Sequence, residues 1–243
     1  MNKAEIFARN NINIIGSGDK TLLLAHGFGC DQTMWRFMLP KLQSQFKVIL
    51  FDYVGCGGSD LSAFSKTKYS TLEGYATDIE DILITLDLRN VSVVGHSVSS
   101  MIAGIASTNI GHRISDITMI CPSPCFLNDP PDYFGGFEKQ DLEELINLMD
   151  KNYIGWASYL APLVMGANHS PELIGELSGS FCSTDPTFAK TFAKATFFSD
   201  HRNLLEKIQN PVLIIQSTDD SLAPIKVGEY MADRIPDSQL SII

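Results

Sequence analysis

The stretch that most constrains this chain is Val91 to Ser100, where an apolar run, Val91-Ser92-Val93-Val94, breaks into Gly95-His96-Ser97-Val98-Ser99. It reads as a strand that stops abruptly and turns into a helix. At the apex of such a turn the backbone is forced into a strained conformation and the side chain is pushed clear of both elements. Ser97 occupies the apex. Strand and helix pass close together there, so small residues are needed two before and two after, in the pattern G-x-S-x-G. Gly95 fits, and Ser99 replaces the second glycine, small for small.

The surrounding rhythm extends the reading. Asn11 to Gly16 alternates apolar and polar and ends in Gly16-Ser17-Gly18-Asp19, an early antiparallel strand and turn. Thr21–Ala25, Val48–Phe51, Ile117–Ile120 and Val212–Gln216 are short apolar runs suited to strands covered on both faces. Asp31–Leu42 reads as a helix with Trp35, Phe37, Met38 and Leu42 packed inward. Thr71–Leu86 is an amphipathic helix, and Val98–Ser107 continues the turn as a helix. Ile225–Arg234 is a further helix, and a last strand begins at Ser238. Strands alternating with helices at this spacing predict an α/β fold with a mostly parallel, doubly wound sheet.

At Pro122 the rhythm stops. Residues 124–200 read as an inserted helical lid, leaving 1–123 and 201–243 as the core. The lid is rich in aromatics, most of which hold its helices together; Phe126, Phe134, Trp156 and Phe197 are the candidates for lining an apolar pocket. With 19% charged residues scattered along the chain and a net charge of −10, nucleic acid and anionic membranes are disfavoured as partners. No stretch approaches a signal-peptide core or a membrane span, so a cytoplasmic location is expected. The five cysteines lack paired C-x-x-C spacing and read as reduced thiols. The loop Asp52–Asp60 has three glycines but neither the order nor the following helix of a nucleotide site. No metal or other cofactor is expected.

A serine hydroxyl near pH 7 needs a base, usually a histidine held in one tautomer by a buried carboxylate. In this architecture the order along the chain is serine, acid, histidine. Ser97 comes first and Asp220 is the second member, favoured over Asp219 by the position of Pro224. The loop His26-Gly27-Phe28-Gly29 after a central strand offers the Phe28 N–H as an oxyanion donor, with the Val98 N–H as the other. No histidine follows Asp220. His96 is expected to point away from the cleft, His112 to be exposed, and His169 and His201 to lie in or beside the lid. The base is therefore expected on a loop beyond Ile243, in a chain shortened at its C-terminus whose final strand would leave apolar surface uncovered.

Several segments carry a resemblance: Gly27-Phe28-Gly29-Cys30-Asp31-Gln32, Gly95-His96-Ser97-Val98, Asn152-Tyr153-Ile154-Gly155-Trp156-Ala157, Phe181-Cys182-Ser183-Thr184-Asp185-Pro186 and Phe197-Phe198-Ser199-Asp200-His201-Arg202. Through them the chain resembles the RsbQ-like α/β-hydrolases, regulators of the bacterial energy-stress response related to the plant strigolactone and karrikin receptors. The resemblance implies an α/β-hydrolase fold with Ser97 as nucleophile, Asp220 as the triad acid, and Phe28 and Val98 as oxyanion donors. It also implies a closed cavity for a small hydrophobic ester or lactone, and a partner, a PAS-domain protein phosphatase controlling a sigma factor. A ligand sensor without turnover and a general metabolic carboxylesterase are the alternatives. Dehalogenases and epoxide hydrolases of this fold use an aspartate where Ser97 stands.

Overall fold

The computed structural model describes residues 1–166 and 170–243. Its strands are β1 (Asn13–Ile15), β2 (Lys20–Ala25), β3 (Phe46–Leu50), β4 (Val91–His96), β5 (Ile114–Ile120), β6 (Val212–Gln216) and β7 (Ser238–Ile242). They form one seven-stranded sheet in the order β1-β3-β2-β4-β5-β6-β7. Only β1 is antiparallel, pairing Asn13 with Leu50; every other neighbouring pair is parallel. The chain passes outward from β2 to β3 and then returns across the sheet to β4. Loops leaving β2 and β4 therefore diverge, and the crevice between their carboxyl ends is where sheets of this kind bind ligands.

Alternation along the strands divides the core. Leu23, Ile49, Val93, Ile117 and Ile214 face one side and pack under α3 (Leu72–Thr85) and α4 (Val98–Ile110), where Ile79, Ile82, Met101 and Ile102 are fully buried. Leu22, Leu24, Val48 and Leu50 face the other side and meet Trp35. The α9 helix (Ile225–Ala232) packs on β6 and β7. Leu213 and Ile242 are 38% and 46% exposed at that end of the sheet.

One element lies outside the sequence reading, and one reading is corrected. Lys3–Arg9 is a helix, α1, closed by an Asn2–Glu5 capping box and anchored by buried Ile6. Asp31–Leu42 is not one helix but a 3₁₀ turn, Gln32–Trp35, followed by the single-turn α2, Leu39–Leu42. Pro40 in the first turn of α2 has no N–H to continue a helix from upstream, so the chain restarts there. Trp35 is buried as expected, but Phe37 and Met38 are 74% and 48% exposed.

After β5 the chain runs through α5 (Lys139–Lys151), α6 (Tyr153–Met165), α7 (Pro171–Ser183) and α8 (Pro186–Phe197). These helices share their own apolar cluster, including Leu142, Ile146, Trp156, Leu160 and Phe197. The segment leaves and rejoins the sheet side by side: Cys125 bridges Asp200, and the His201 N–H donates to Pro124 O at 2.8 Å. Among the described residues, no helix is long and apolar enough to cross a membrane.

Leu23 is fully buried at the centre of this arrangement, opposite Ile49 on one side and Val93 on the other. Leu23→Ala should lower stability by about 2–5 kcal/mol. In urea unfolding this appears as a lower midpoint with an unchanged m-value; a shift within error would mean that the site collapses around the deletion.

Candidate functional site

Ser97 lies between the last residue of β4 and the first of α4 with φ 54° and ψ −123°, a backbone region that costs a non-glycine residue about 1–3 kcal/mol. Its N–H donates to Ile120 O at 2.8 Å, and its own carbonyl accepts from the Ser100 N–H at 2.9 Å. The turn is thereby tied to β5 on one side and to α4 on the other. Gly95 is obligatory: a Cβ there would stand 2.5 Å from Ser99 O and 2.7 Å from Ser100 N. Ser99 is fully buried, directed toward the loop that follows β2.

That loop brings Phe28 opposite the turn. Gly29 adopts φ 69°, and a Cβ on it would meet the Phe181 ring at 2.2 Å, so no other residue fits. The Phe28 ring is gripped by Phe192, Phe197, Trp156 and Phe181 at centroid distances of 5.6, 5.9, 6.0 and 6.2 Å. Neither the Phe28 nor the Val98 amide donates to any acceptor among the described residues.

Two cavities meet at Ser97. The outer bay, about 320 Å³, is walled by His96, Ser97, Cys121, Ser217, Asp219 and Asp220, with Phe126 and Leu222 on the lid side. The inner chamber, about 60 Å³, is walled by Phe28, Phe126, Leu160, Leu177, Phe181 and Phe197 and reaches Ser97 and Cys30. Asp220 is half-buried and accepts from the Leu222 and Ala223 N–H groups at 2.8 and 3.0 Å, which fixes its carboxylate; Asp219 is exposed.

The four aromatic candidates separate. Phe126 and Phe197 line the inner chamber. Trp156 is one layer back, stacked on Tyr153 at 5.3 Å and backing Phe28 and Phe181. Phe134 is a correction: it is 48% exposed on the outer surface, 5.6 Å from Lys226 Nζ. Its neighbour Tyr133 turns inward to donate to Cys125 O, so the next side chain is directed out.

The histidines also sort by position. His96, expected to point away from the cleft, is among the residues that border both cavities. The reason is Gly27: the imidazole fills the space that a Cβ at residue 27 would take, only 2.5 Å from Nδ1. Burial lowers its pKa to about 4, against a smaller upward pull from Asp220. His112 is exposed in the turn Gly111–Arg113. His201 pairs with Glu73 at 3.2 Å and borders neither cavity. His169 lies outside the described residues. Burial holds the Cys30 and Cys121 thiols at about 11, so both line the cavities as neutral groups.

Sequence reasoning missed the brace behind Phe28. The Tyr53 N–H donates to His26 Nε2 at 3.2 Å, so that nitrogen carries no proton; Nδ1 then holds the hydrogen and donates to Gly27 O at 2.9 Å. Burial lowers the His26 pKa, which favours this neutral form. Nothing in the spacing of residues 26, 53 and 99 announces the contact, because three separate strand ends supply it.

A family model described as alpha/beta hydrolase fold matches residues 20–148. Karrikin insensitive 2 receptor CA of Petunia hybrida is 41% identical over 222 residues, covering 91% of this chain and 82% of that protein. Strigolactone esterase D14 of Arabidopsis thaliana is 36% identical over 235 residues, covering 97% and 87%. The solved structure of a hydrolase from Oleispira antarctica superposes with a TM-score of 0.99 at 73% identity, covering 100% of this chain and 89% of that one.

The His96 pKa has a stability consequence. An unfolded imidazole gains its proton near pH 6.5 and the folded one only near 4, so the unfolded state binds more protons in between. Stability should fall as pH drops through that window, and His96→Gln should make the fall shallower in denaturant titrations. An imidazole resonance for His96 titrating near 6.5 instead would contradict this.

Proposed function

The chain belongs to the α/β-hydrolase fold family, and on that premise we propose that it is a serine hydrolase of small hydrophobic esters or lactones. The observation that carries this reading is the Ser97 hydroxyl at a strained strand-to-helix turn and at the junction of an apolar chamber and a polar bay, with the Phe28 and Val98 amides left without an acceptor among the described residues. Ser97 Oγ attacks the substrate carbonyl, and the charge that develops on its oxygen is met by the N–H groups of Phe28 and Val98. Collapse expels the alcohol, or opens the lactone ring, and leaves an acyl group on Ser97 that water then removes. The acyl portion occupies the apolar inner chamber, whose small volume favours short chains while the lid is closed. The names of relatives, Strigolactone esterase D14 among them, agree with ester chemistry.

The proton leaving Ser97 needs an acceptor. On this reading Asp220, its carboxylate fixed by two amides on the wall of the outer bay, orients an imidazole there. Residues 221–243 supply none. The test is hydrolysis of p-nitrophenyl acetate with and without added imidazole, the Ser97→Ala chain serving to subtract imidazole's own reaction. Ser97-dependent hydrolysis should be low alone and rise about ten-fold or more with imidazole, and Asp220→Asn should blunt the rise. Equal rates for parent and Ser97→Ala under both conditions would sink the reading.

A second reading is a ligand sensor in which hydrolysis is slow or absent and lid state sets affinity for a partner, in line with the receptor named among the relatives, Karrikin insensitive 2 receptor CA. The resemblance to the RsbQ-like regulators gives that partner as a PAS-domain protein phosphatase acting in the cytoplasm on sigma-factor control. Capture of such a phosphatase should survive Ser97→Ala if ligand occupancy carries the signal. Loss of capture together with activity would instead tie signalling to turnover.

A further inference from the structure

The second glycine of the turn motif is Ser99 here, and its hydroxyl is fully buried. It lies 2.5 Å from His26 O and 2.9 Å from the Tyr53 hydroxyl. A carbonyl oxygen can only accept, so Ser99 donates to His26; its single proton being committed, Tyr53 must donate to Ser99. The result is a directed chain, Tyr53 O–H to Ser99 O–H to His26 C=O, in which each bond polarises the next. Tyr53 holds His26 a second time, through its own N–H on the imidazole Nε2. Residue 26 is therefore clamped at its carbonyl from the helix that begins at the turn and at its ring from the end of β3.

We infer that Ser99 is a positioning residue, which with Tyr53 holds the loop carrying the Phe28 N–H in register with Ser97. Catalytically, this rests on the reading of Phe28 as an oxyanion donor. The physical need is plain. The loop carries glycines at 27 and 29, flexible residues that cannot aim a donor by themselves, and the hydroxyl at 99 starts only two residues from the nucleophile. One short helix turn thus carries both the attacking oxygen and the anchor of the amide that receives the charge. Any shift of one is shared by the other.

Ser99→Ala removes the anchor while leaving Phe28, Val98 and Ser97 in place. With imidazole present, Ser97-dependent hydrolysis of p-nitrophenyl acetate should fall about ten-fold or more in kcat, with KM within about two-fold, because a misaimed donor weakens the transition state and not substrate binding. Tyr53→Phe, which keeps the ring packed against His26 and Phe192, should cause a smaller fall of the same kind, and the double variant should be no worse than Ser99→Ala alone. A second readout is independent of turnover. The Cys30 and Tyr53 amides, whose acceptors are Gly27 O and His26 Nε2, should exchange with solvent about ten-fold faster in Ser99→Ala and unchanged in Ser97→Ala. Unchanged exchange of both amides in Ser99→Ala and Tyr53→Phe would overturn the assignment whatever the activity. Faster exchange in a chain without any Ser97-dependent hydrolysis would leave the brace standing and count against the hydrolase reading instead.

Discussion

Everything functional in this molecule depends on how tightly β4 turns into α4. The turn works because Gly95 has no side chain to strike the backbone of Ser99 and Ser100, and because Ser97 tolerates a positive φ while tied to Ile120. A larger residue at 95 would push the helix away from the strand, and the hydroxyl with it. The strain at Ser97 is held by two well-buried elements, α4 and the parallel pair β4–β5. A local conformational cost is thus carried by a large surrounding core.

The topology then decides what the hydroxyl meets. Because β2 and β4 lie side by side while the chain leaves them in opposite directions, the loop after β2 has room to fold toward Ser97, not over the sheet. The loop is held by contacts on two sides. Below, the imidazole of His26 is locked in one tautomer by Tyr53 and Gly27; above, the Phe28 ring is held by Trp156, Phe181, Phe192 and Phe197. Phe28 therefore joins the lid cluster to the sheet. Lid and loop are linked through that ring and through the Ser180 hydroxyl, which donates to Gly29 O at 2.7 Å.

Electrostatically the site is quiet. Burial keeps the imidazoles of His26 and His96 neutral and the thiols of Cys30 and Cys121 protonated at neutral pH. Charge near Ser97 comes from the carboxylates of Asp219 and Asp220 on the outer bay. An uncharged inner chamber with one-sided negative charge at its mouth favours neutral over anionic occupants.

The amino-acid sequence alone determined the sheet, its helices and the turn at Ser97, because apolar runs of strand length and the Gly-x-Ser spacing are local signals. The helix at Lys3–Arg9 was equally local, in its Asn2–Glu5 capping box, and was passed over. Chain order put Asp220 on the loop after β6, where it walls the outer bay, and the aromatic content of the lid pointed to Phe126 and Phe197, which line the inner chamber. Which way His96, Phe134, Phe37 and Met38 face was decided only by tertiary structure, since each depends on a neighbour distant in sequence or on a break in a helix: Gly27 leaves room for an imidazole, Tyr133 takes the inward place, Pro40 interrupts a stripe. The bond from Ser99 to His26 belongs to the same class. Residues 26, 53 and 99 share no spacing or periodicity, and only the parallel order of β3, β2 and β4 brings their three strand ends to one point.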